Sequence, residues 1–412
     1  MAIAGTIEPS TRAIGDPLVE PASPALTRSG AVRLGAIDML RGLVIAIMVL
    51  DHVRDFFNVP AGGFDPTDPL KSYPALYLTR WVTHLCAPTF VFLAGVSILF
   101  QKANGKSPGE LSRFLLTRGA WLVLLECTVV SFGFNFGTGV VFLQVIWAIG
   151  MSMIAIALIS RASSIVVLAV GAAILVIYPL VVPLTAGATG ALAIIRTVAI
   201  APGMIPGMHV LAFYSVVPWL GVMCLGFGLG PVFRMPATER SRTLLAIAFG
   251  LIAAFALLRL VDGYGDPVPW VTEPTHGRTA LSFFNVSKYP PSPDYVCVTL
   301  GISMLLFLAL QYLRGPVARV LLNFGRTPLF TYVCHIYIAH GLALLAALAN
   351  GTPDAVLNLV GKGSRGGPPS NWGFSLLGVY VVWAVVIALL IPLSRWMAGV
   401  KRRRRDWWLS YI

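Results

Sequence analysis

The chain has 412 residues, of which 57% are hydrophobic and only 11% are charged. A soluble domain carries about 25% charged residues, so the composition excludes an ordinary soluble protein. The formal net charge of +13 would suit a nucleic-acid-binding protein. Basic residues are also enriched in the cytoplasmic loops of membrane proteins, however. Because long apolar runs recur along the chain, membrane topology explains the charge better, and we expect no nucleic-acid partner.

The apolar runs are each long enough to cross a bilayer as a helix. Helices and closed barrels are the only structures that satisfy their backbone groups in lipid. The sequence therefore predicts an all-α, polytopic transmembrane helical bundle of about ten spans. The stretch 190–207 is apolar but broken by prolines and glycines, so it is an interfacial segment, a re-entrant segment or an eleventh span. The ten predicted spans are 35–57, 76–100, 114–134, 139–159, 163–184, 210–232, 243–261, 295–313, 325–349 and 374–397.

Two tails flank the predicted transmembrane bundle, which covers residues 33–400. Residues 1–32 are rich in Pro, Ser and Thr and predict a disordered cytoplasmic tail. Residues 401–412 combine a basic cluster with Trp and Tyr, which suits the headgroup region of a membrane. We predict that this second tail lies on the cytoplasmic membrane surface.

The orientation follows from the 30 lysines and arginines. With ten spans and a cytoplasmic N-terminus, most of them fall on the cytoplasmic side, as expected for a membrane protein. Both termini are therefore predicted to be cytoplasmic. Three long loops, 58–75, 262–294 and 350–373, then lie on the outer side, where long loops often carry a functional site.

The five cysteines offer no metal-binding pattern. They are odd in number, lie in or beside apolar runs and include no Cys-x-x-Cys pair. This pattern favours buried small hydrophobic residues over a disulfide framework or a metal site.

The first predicted span carries charge on one face. Asp38, Arg41, His52 and Asp55 project onto an arc of about 100° of a helix. Arg41 and His52 are about 16 Å apart along the axis at the usual rise per residue. Charged groups in a spanning helix usually face the bundle interior or a watery cavity. The Asp38–Arg41 pair either fixes helix packing or lets Arg41 capture an anion such as phosphate.

Two histidines are candidates for a general base. His52 is flanked by Asp51 and Asp55, and Asp55, three residues on, can orient the ring and stabilise an imidazolium. The alternative is an interfacial histidine in an ordinary polar cap. His84 precedes Cys86-Ala-Pro88, so a kinked helix start can turn it inward; a buried, hydrogen-bonded histidine is the alternative.

Other polar residues lie in or beside the apolar runs. Gln144 belongs to the fourth run, as a packing residue or a pocket residue. His335 is the histidine predicted nearest mid-membrane. Lys288 lies in a proline-rich segment of an outer loop, where it either holds an anion or marks the interface.

Seven motifs together resemble those of the bacterial branch of the heparan-α-glucosaminide N-acetyltransferase-like membrane proteins, from about residue 33 to the end. The motifs are Ile37-Asp38-Met39-Leu40-Arg41-Gly42 with Asp51-His52, Thr83-His84 through Gly95, Gln144-Val145-Ile146-Trp147 through Gly150, Pro218-Trp219-Leu220-Gly221, Ser287-Lys288-Tyr289-Pro290-Pro291-Ser292, Gly325-Arg326-Thr327-Pro328 with His335, and Arg405-Asp406-Trp407-Trp408.

The resemblance implies transmembrane acyl transfer in a bacterial cytoplasmic (inner) membrane. Acetyl-CoA from the cytoplasm donates the acetyl group, and the acceptor, typically a sugar, is on the far side. A membrane histidine is central to the reaction in such proteins. The first span is also similar to that of the membrane acyltransferases that O-acetylate cell-surface glycans, which maps the histidine onto His52, with His84 as the fallback.

The resemblance and the charged stripe together define the predicted site. Arg41, with Asp38 and Arg326, is the candidate site for the nucleotide of coenzyme A. His52, oriented by Asp55 or Asp51, is a general base or the carrier of the acetyl group. The candidates for acceptor contacts are Gln144, Trp147, Lys288 and His335.

The competing hypothesis is a transporter of a small anionic or glycan-related solute. Intramembrane charges and a broken segment such as 190–207 are also features of transporters. Against this, the two halves of the sequence show no repeat. The sequence defines neither the acceptor nor the oligomeric state.

Overall fold

A computed structural model describes residues 35–58, 64–137, 139–357, 372–404 and 406–411. The predicted tail 1–32 lies outside these ranges. Most of the described chain is helical, which confirms the all-α polytopic prediction. In chain order the helices are α1 (Gly35–Phe57), α2 (Pro74–Val82), α3 (Cys86–Ala103), α4 (Pro108–Leu125), α5 (Ser131–Asn135), α6 (Val145–Ile159), α7 (Ser164–Leu184), α8 (Gly190–Ala199), α9 (Val216–Leu229), α10 (Ala237–Val261), α11 (His276–Phe284), α12 (Pro293–Leu310), α13 (Gly315–Arg326), α14 (Pro328–Ala349) and α15 (Leu376–Arg403).

Within the described ranges, eight helical segments are long and apolar enough to cross a membrane. Two further predicted runs hold α1, which has 23 residues but carries charges, and α6, which has 15 residues. The count of ten spans therefore stays a prediction. The eight segments are Pro74–Ala103, Pro108–Asn135, Ser164–Leu184, Val216–Arg234, Ala237–Val261, Pro293–Leu310, Pro328–Ala349 and Leu376–Arg403.

Helix α1 lies at the centre of the bundle, in contact with α3, α12, α13, α14 and α15. Its closest neighbour is α13, a short amphipathic helix that the hydropathy pattern did not predict. Two glycines allow this approach: a methyl group on Gly42 would overlap the backbone of Leu321, and one on Gly325 would overlap the backbone of Asp38. The C-terminal end of α13 is thereby fixed beside Asp38 at the start of α1.

Two interruptions of the helices shape the site. A 3₁₀ turn, Thr83–Leu85, separates α2 from α3 and contains His84, in agreement with the predicted kink. A π-helical segment, Glu126–Val130, separates α4 from α5. Such segments inside α-helices are frequently found at functional sites.

The stretch 190–207 contains α8 and strand β2 of a small sheet. A ten-residue helix is about 15 Å long, half the thickness of a hydrocarbon core, so α8 is too short to span by itself. The sheet, which the sequence did not predict, has the order β1-β3-β2. Strand β3 (Val210–Ala212) pairs in parallel with β1 (Val141–Leu143) and antiparallel with β2 (Gly203–Met204).

Candidate active site

The centre of the candidate site is a pair of buried histidines, His52 on α1 and His335 on α14. The Nδ1 atom of His52 lies 2.7 Å from Nε2 of His335. The ring planes are within 8° of each other, and the ring centroids are 5.0 Å apart. The centroid separation exceeds the N···N distance by 2.3 Å. This difference is about the sum of two imidazole ring radii, so the hydrogen bond runs along the line that joins the ring centres.

The neighbours of this pair fix the positions of its protons. Nδ1 of His335 lies 3.3 Å from the carbonyl oxygen of Thr331. A carbonyl only accepts, so this nitrogen carries the hydrogen, and Nε2 of a neutral His335 is an acceptor. His52 then donates from Nδ1, and its Nε2 holds a lone pair. In the described ranges, this Nε2 atom has no hydrogen-bond partner. The arrangement presents one basic nitrogen with a defined tautomer.

The two acids beside His52 do not orient its ring. Among the described residues the ring is hydrogen-bonded by His335, which corrects the predicted role of Asp51 and Asp55 as orienting groups. The physical reason is Arg54, whose guanidinium pairs with both carboxylates. The Asp55 side chain is 54% exposed, so it points away from the buried ring.

Asp51 instead joins α1 to α2 and the following turn. Its carboxylate lies 2.7 Å from Arg54 and 3.3 Å from Arg80, and it accepts a hydrogen bond from the Thr83 hydroxyl at 2.8 Å. This clamp fixes the turn that carries His84.

His84 is buried beside this clamp, and its Nδ1 atom has no hydrogen-bond partner in the described residues. Its ring meets Tyr295 edge-on at 5.4 Å. The Tyr295 hydroxyl donates to the His84 carbonyl at 2.8 Å. The backbone of His84 is therefore anchored, while its ring keeps one nitrogen for another partner.

Lys288 belongs to the same region. Its side chain is buried, and Nζ lies 5.1 Å from the centre of the Tyr289 ring. Its loop leads directly into α12, whose Tyr295 contacts His84. This long loop therefore supplies a buried cation next to the helix that contacts His84.

At the other end of α1, the three residues predicted to bind the nucleotide lie together. Arg41 pairs with Asp38 at 3.0 Å and donates to the Ser97 hydroxyl at 3.0 Å. Arg326, at the end of α13, lies 3.9 Å from the second oxygen of Asp38. The Asp38 carboxylate therefore holds two arginines beside one another.

A cavity of about 400 Å³ extends from Arg41 of this basic cluster to Tyr332, whose ring is beside the histidine pair. Arg41, Lys106 and Arg118 contribute cations to its wall, and Tyr332 lines it as well. The Tyr332 ring is 5.3 Å from the ring of His335 and 6.4 Å from that of His52. The rest of the wall is mostly apolar and includes Met48, Phe90, Leu122, Ile146, Ile149 and Met153.

Sequence reasoning missed Lys106 and Arg118 as site residues. Their cationic groups lie 4.0 Å and 6.0 Å from the ring of Phe114, which also lines the cavity. Partial burial lowers the pKa of the Lys106 ammonium below its ordinary value; a bound phosphate would favour its charged form. The missed signal was Arg118 itself, a charge inside the apolar run 114–134.

Gln144 and Trp147 are adjacent to the cavity but do not line it. The Trp147 backbone donates to the Glu126 carboxylate at 2.8 Å, which fixes the start of α6 to the π-helical segment. The Trp147 side chain packs partly against the small cluster around Leu143 and Ala212. In the described structure, Gln144 Nε2 and Trp147 Nε1 have no hydrogen-bond partner.

The second histidine of α14, His340, is also buried but is separate from the pair. Its two ring nitrogens lie 2.7 Å and 2.8 Å from the carbonyl oxygens of Gly133 and Val356. Its ring stacks between Phe56 and Phe136. These contacts tie α14 to α5 and to the turn after α14, which is a structural role.

The helices and the site together define a polytopic membrane protein with a histidine-centred site inside the bundle. The sequence profile of the family described as heparan-alpha-glucosaminide N-acetyltransferase, catalytic, matches residues 33–259, more than half of the chain. The chain belongs to this family, which confirms the resemblance and indicates a membrane acetyltransferase-type function. A search of curated proteins found no match. The match includes Arg41, His52 and His84, whereas Lys288, Arg326 and His335 lie beyond it.

Proposed function

We propose that this protein transfers an acetyl group from acetyl-CoA, bound from the cytoplasm, to a hydroxyl or amine of a sugar-type acceptor on the opposite side of a bacterial cytoplasmic membrane. The family supports acetyl transfer. The observation that carries the proposal is the cavity that joins the basic cluster at Arg41 to Tyr332, beside the histidine pair.

The cavity suits coenzyme A in its chemistry. Arg41, Lys106 and Arg118 supply cations for the phosphates, as arginine-rich phosphate sites do. Asp38 holds Arg41 and Arg326 at this end. The apolar wall suits the pantetheine arm, and the Arg41–His52 separation of about 16 Å is of the same order as that arm. The buried Tyr332 hydroxyl, which has no partner in the described chain, can donate to the thioester carbonyl.

In the proposed reaction, His52 Nε2 takes the proton of the acceptor hydroxyl or amine as that group attacks the thioester carbon. The new C–O or C–N bond replaces the C–S bond, and the proton passes to the sulfur. The products are the acetylated acceptor and free coenzyme A. The alternative, in which Nε2 attacks first and carries the acetyl group, uses the same lone pair. His335 is a positioning residue in both cases, because it holds His52 in the required tautomer.

The acceptor is proposed to approach from the side of the 262–294 loop. Thr83, next to His84, donates to Asp51, which precedes His52 in the chain, and Lys288 belongs to this loop. Gln144 and Trp147, with unpaired side-chain donors in the described structure, are the remaining candidates for acceptor contacts. Asp51 supports this region through its ion pairs with Arg54 and Arg80.

The test is coenzyme A release by purified protein in liposomes, with acetyl-CoA and a panel of sugar acceptors. His52→Gln should lose acceptor-stimulated release by about 10²- to 10⁴-fold, the usual contribution of a general base, and still bind acetyl-CoA. His209→Gln, an exposed histidine, is the matched control and should behave as wild type.

Three other outcomes would change the assignment. If His84→Gln is the inactive variant, the reaction class stands and the base is His84. If His52→Gln keeps full activity, His52 is not catalytic. If the wild type neither binds acetyl-CoA nor releases coenzyme A but moves a small anion across the liposome membrane, the transporter hypothesis replaces this one.

A further inference from the structure

The last described segment of the chain, residues 406–411, lies beside the basic end of the cavity. Helix α15 ends at Arg403, and Arg404 leaves it in an extended conformation. The segment 406–411 contains a single 3₁₀ turn, Trp407–Ser410. We call residues 406–411 the strap. Sequence analysis predicted only a tail at the membrane surface for this part of the chain.

The helix from which the strap emerges is fixed on the Arg41 side of the cavity. Lys401 lies in the last turn of α15, and its Nζ atom donates to the Arg326 carbonyl oxygen at 3.4 Å. Arg326 and Arg41 both pair with the Asp38 carboxylate. The strap therefore begins next to the arginine pair at the start of α1.

The far end of the strap is seated on α4, where other residues line the cavity. The Tyr411 hydroxyl lies 2.9 Å from the Thr117 hydroxyl, and its ring centre is 6.2 Å from that of Phe114. Thr117 donates to the Arg113 carbonyl oxygen at 2.9 Å within its own helix, so Tyr411 is the donor between the two hydroxyls. Phe114 lines the cavity, as does Arg118, the residue after Thr117.

The strap is attached less firmly than the helices around it. Trp407 is 78% exposed, and among the strap side chains that the structure describes only Leu409 is buried. Helices α4 and α6, in contrast, pack closely at Gly119 and Gly150, where a methyl group on either glycine would overlap the other's backbone. Segments with few buried contacts open at a low cost in free energy. The strap is therefore the part of this end of the protein that opens most readily.

We propose that the strap is a lid over the basic end of the cavity and that Tyr411 is its latch on α4. The strap bridges the wall that carries Arg41 and the wall that carries Arg118, so it lies across the entrance between them. It must leave α4 before coenzyme A enters or departs. This inference rests on the proposed function, because it describes how the same cavity is loaded. Such lids commonly control substrate entry and product release.

The first experiment measures the exchange of radiolabelled coenzyme A on the full chain in lipid nanodiscs. Tyr411→Phe keeps the ring and removes the hydroxyl that donates to Thr117. Association and dissociation rates should both rise about fivefold, the effect of one neutral hydrogen bond on an opening equilibrium, and Kd should not change. Tyr312→Phe alters an exposed tyrosine and should behave as wild type. Unchanged rates, or a weaker Kd with an unchanged association rate, would overturn the lid and make Tyr411 part of a fixed wall.

The second experiment locks the strap in place. Thr117→Cys and Tyr411→Cys are combined in one chain, and a short reducible reagent joins the two thiols across the span of the tyrosine side chain. The joined protein should neither take up nor release coenzyme A, and reduction should restore exchange. Each single variant treated with the same reagent is the control for the five natural cysteines. Unchanged exchange in protein whose link is verified by mass spectrometry would overturn the proposal.

Access to the cavity can also be measured without coenzyme A. Gln101 lines the cavity, and Gln101→Cys places a thiol there for a water-soluble maleimide. Labelling should become about fivefold faster when Tyr411→Phe is added, by the same opening equilibrium.

The lid and the proposed function fail in distinguishable ways. If labelling follows the latch but the wild type does not bind coenzyme A, the proposed function is refuted and the lid stands. If the wild type binds coenzyme A and transfers acetyl groups while neither labelling nor exchange responds to Tyr411→Phe, the lid is refuted and the proposed function stands.

Discussion

Replacing His335 tests the hydrogen-bond relay that gives His52 its basic nitrogen. His335→Leu removes the acceptor 2.7 Å from His52 Nδ1 and leaves a buried N–H unpaired, at a cost of about 1–3 kcal/mol. The His52 ring can then carry its proton on Nε2 instead of Nδ1, and a protonated Nε2 cannot act as a base. A general base contributes about 10²- to 10⁴-fold to rate, so we expect kcat to fall in that range. Acetyl-CoA affinity should remain, because His335 does not line the cavity.

His335→Gln is the matched rescue variant. Its side-chain oxygen can lie near the position of Nε2 and accept the same hydrogen bond, so we expect it to retain activity within about tenfold of wild type, since a neutral hydrogen bond contributes about 1 kcal/mol. The assay is coenzyme A release with saturating acceptor, together with acetyl-CoA binding and the midpoint of thermal unfolding. Imidazole ¹⁵N spectra of labelled protein should show His52 protonated at Nδ1 in the wild type and a mixture in His335→Leu.

The relay would be refuted by either of two results. His335→Leu with a wild-type kcat and pH–rate profile would show that His52 needs no partner. The second result is that His335→Gln folds but is as inactive as folded His335→Leu. It would show that His335 does more than accept a hydrogen bond from His52.

Three further predictions concern the cavity and the packing around it. Arg118→Gln should raise KM for acetyl-CoA about 10- to 100-fold with little change in kcat, because it removes one cation that can hold a phosphate. Arg113→Gln changes an exposed residue of the same helix and should leave KM unchanged. Equal effects in both variants would argue against a phosphate site. Gly42→Ala should lower stability by about 1–3 kcal/mol, the usual effect of overpacking, because the methyl group would meet the Leu321 backbone; thermal unfolding measures this. His340→Phe keeps a ring between Phe56 and Phe136. It leaves a buried carbonyl without the N–H donor that a neutral imidazole supplies, so stability should fall by about 1–3 kcal/mol while kcat of the folded protein is unchanged.

Two controls apply to the packing predictions. Gly250→Ala on α10, where a methyl group meets nothing within 4 Å among the described residues, should leave stability unchanged or slightly higher, because alanine favours helix. Loss of stability in both glycine variants would mean that the helices tolerate no added methyl anywhere. A large loss of kcat in folded His340→Phe would contradict its structural role.

The sequence predicted the features that depend on spacing within one helix. The stripe of α1 and the Asp38–Arg41 pair follow from residues three apart in a helix. The apolar runs likewise marked the long helices, because each span must satisfy its backbone in lipid by itself. Arg118 was within reach of the same reasoning, since a charge inside an apolar run already indicates a site.

The features that depend on distant parts of the chain were not predictable in this way. His335 is 283 residues from His52, so no local pattern pairs them. Helix α13 was missed because its amphipathic sequence resembles a loop between spans until the glycines of α1 and α13 allow close contact. Asp55 has the right helical phase for His52, but Arg54 takes its carboxylate towards the surface. Arg54 and His52 compete for the Asp55 carboxylate, and the helical phase of a residue does not predict which partner it binds.

His52 is hydrogen-bonded by a second histidine and not by an acid, which suits its buried position. A carboxylate at hydrogen-bond distance from a buried ring would be an additional buried charge, which needs its own partners. Asp51 and Asp55, which flank His52, form ion pairs with Arg54 and Arg80. The hydrogen-bonded relay of His52, His335 and the Thr331 carbonyl is therefore electrically neutral. A neutral relay fixes the tautomer without adding a charge beside the reacting centre.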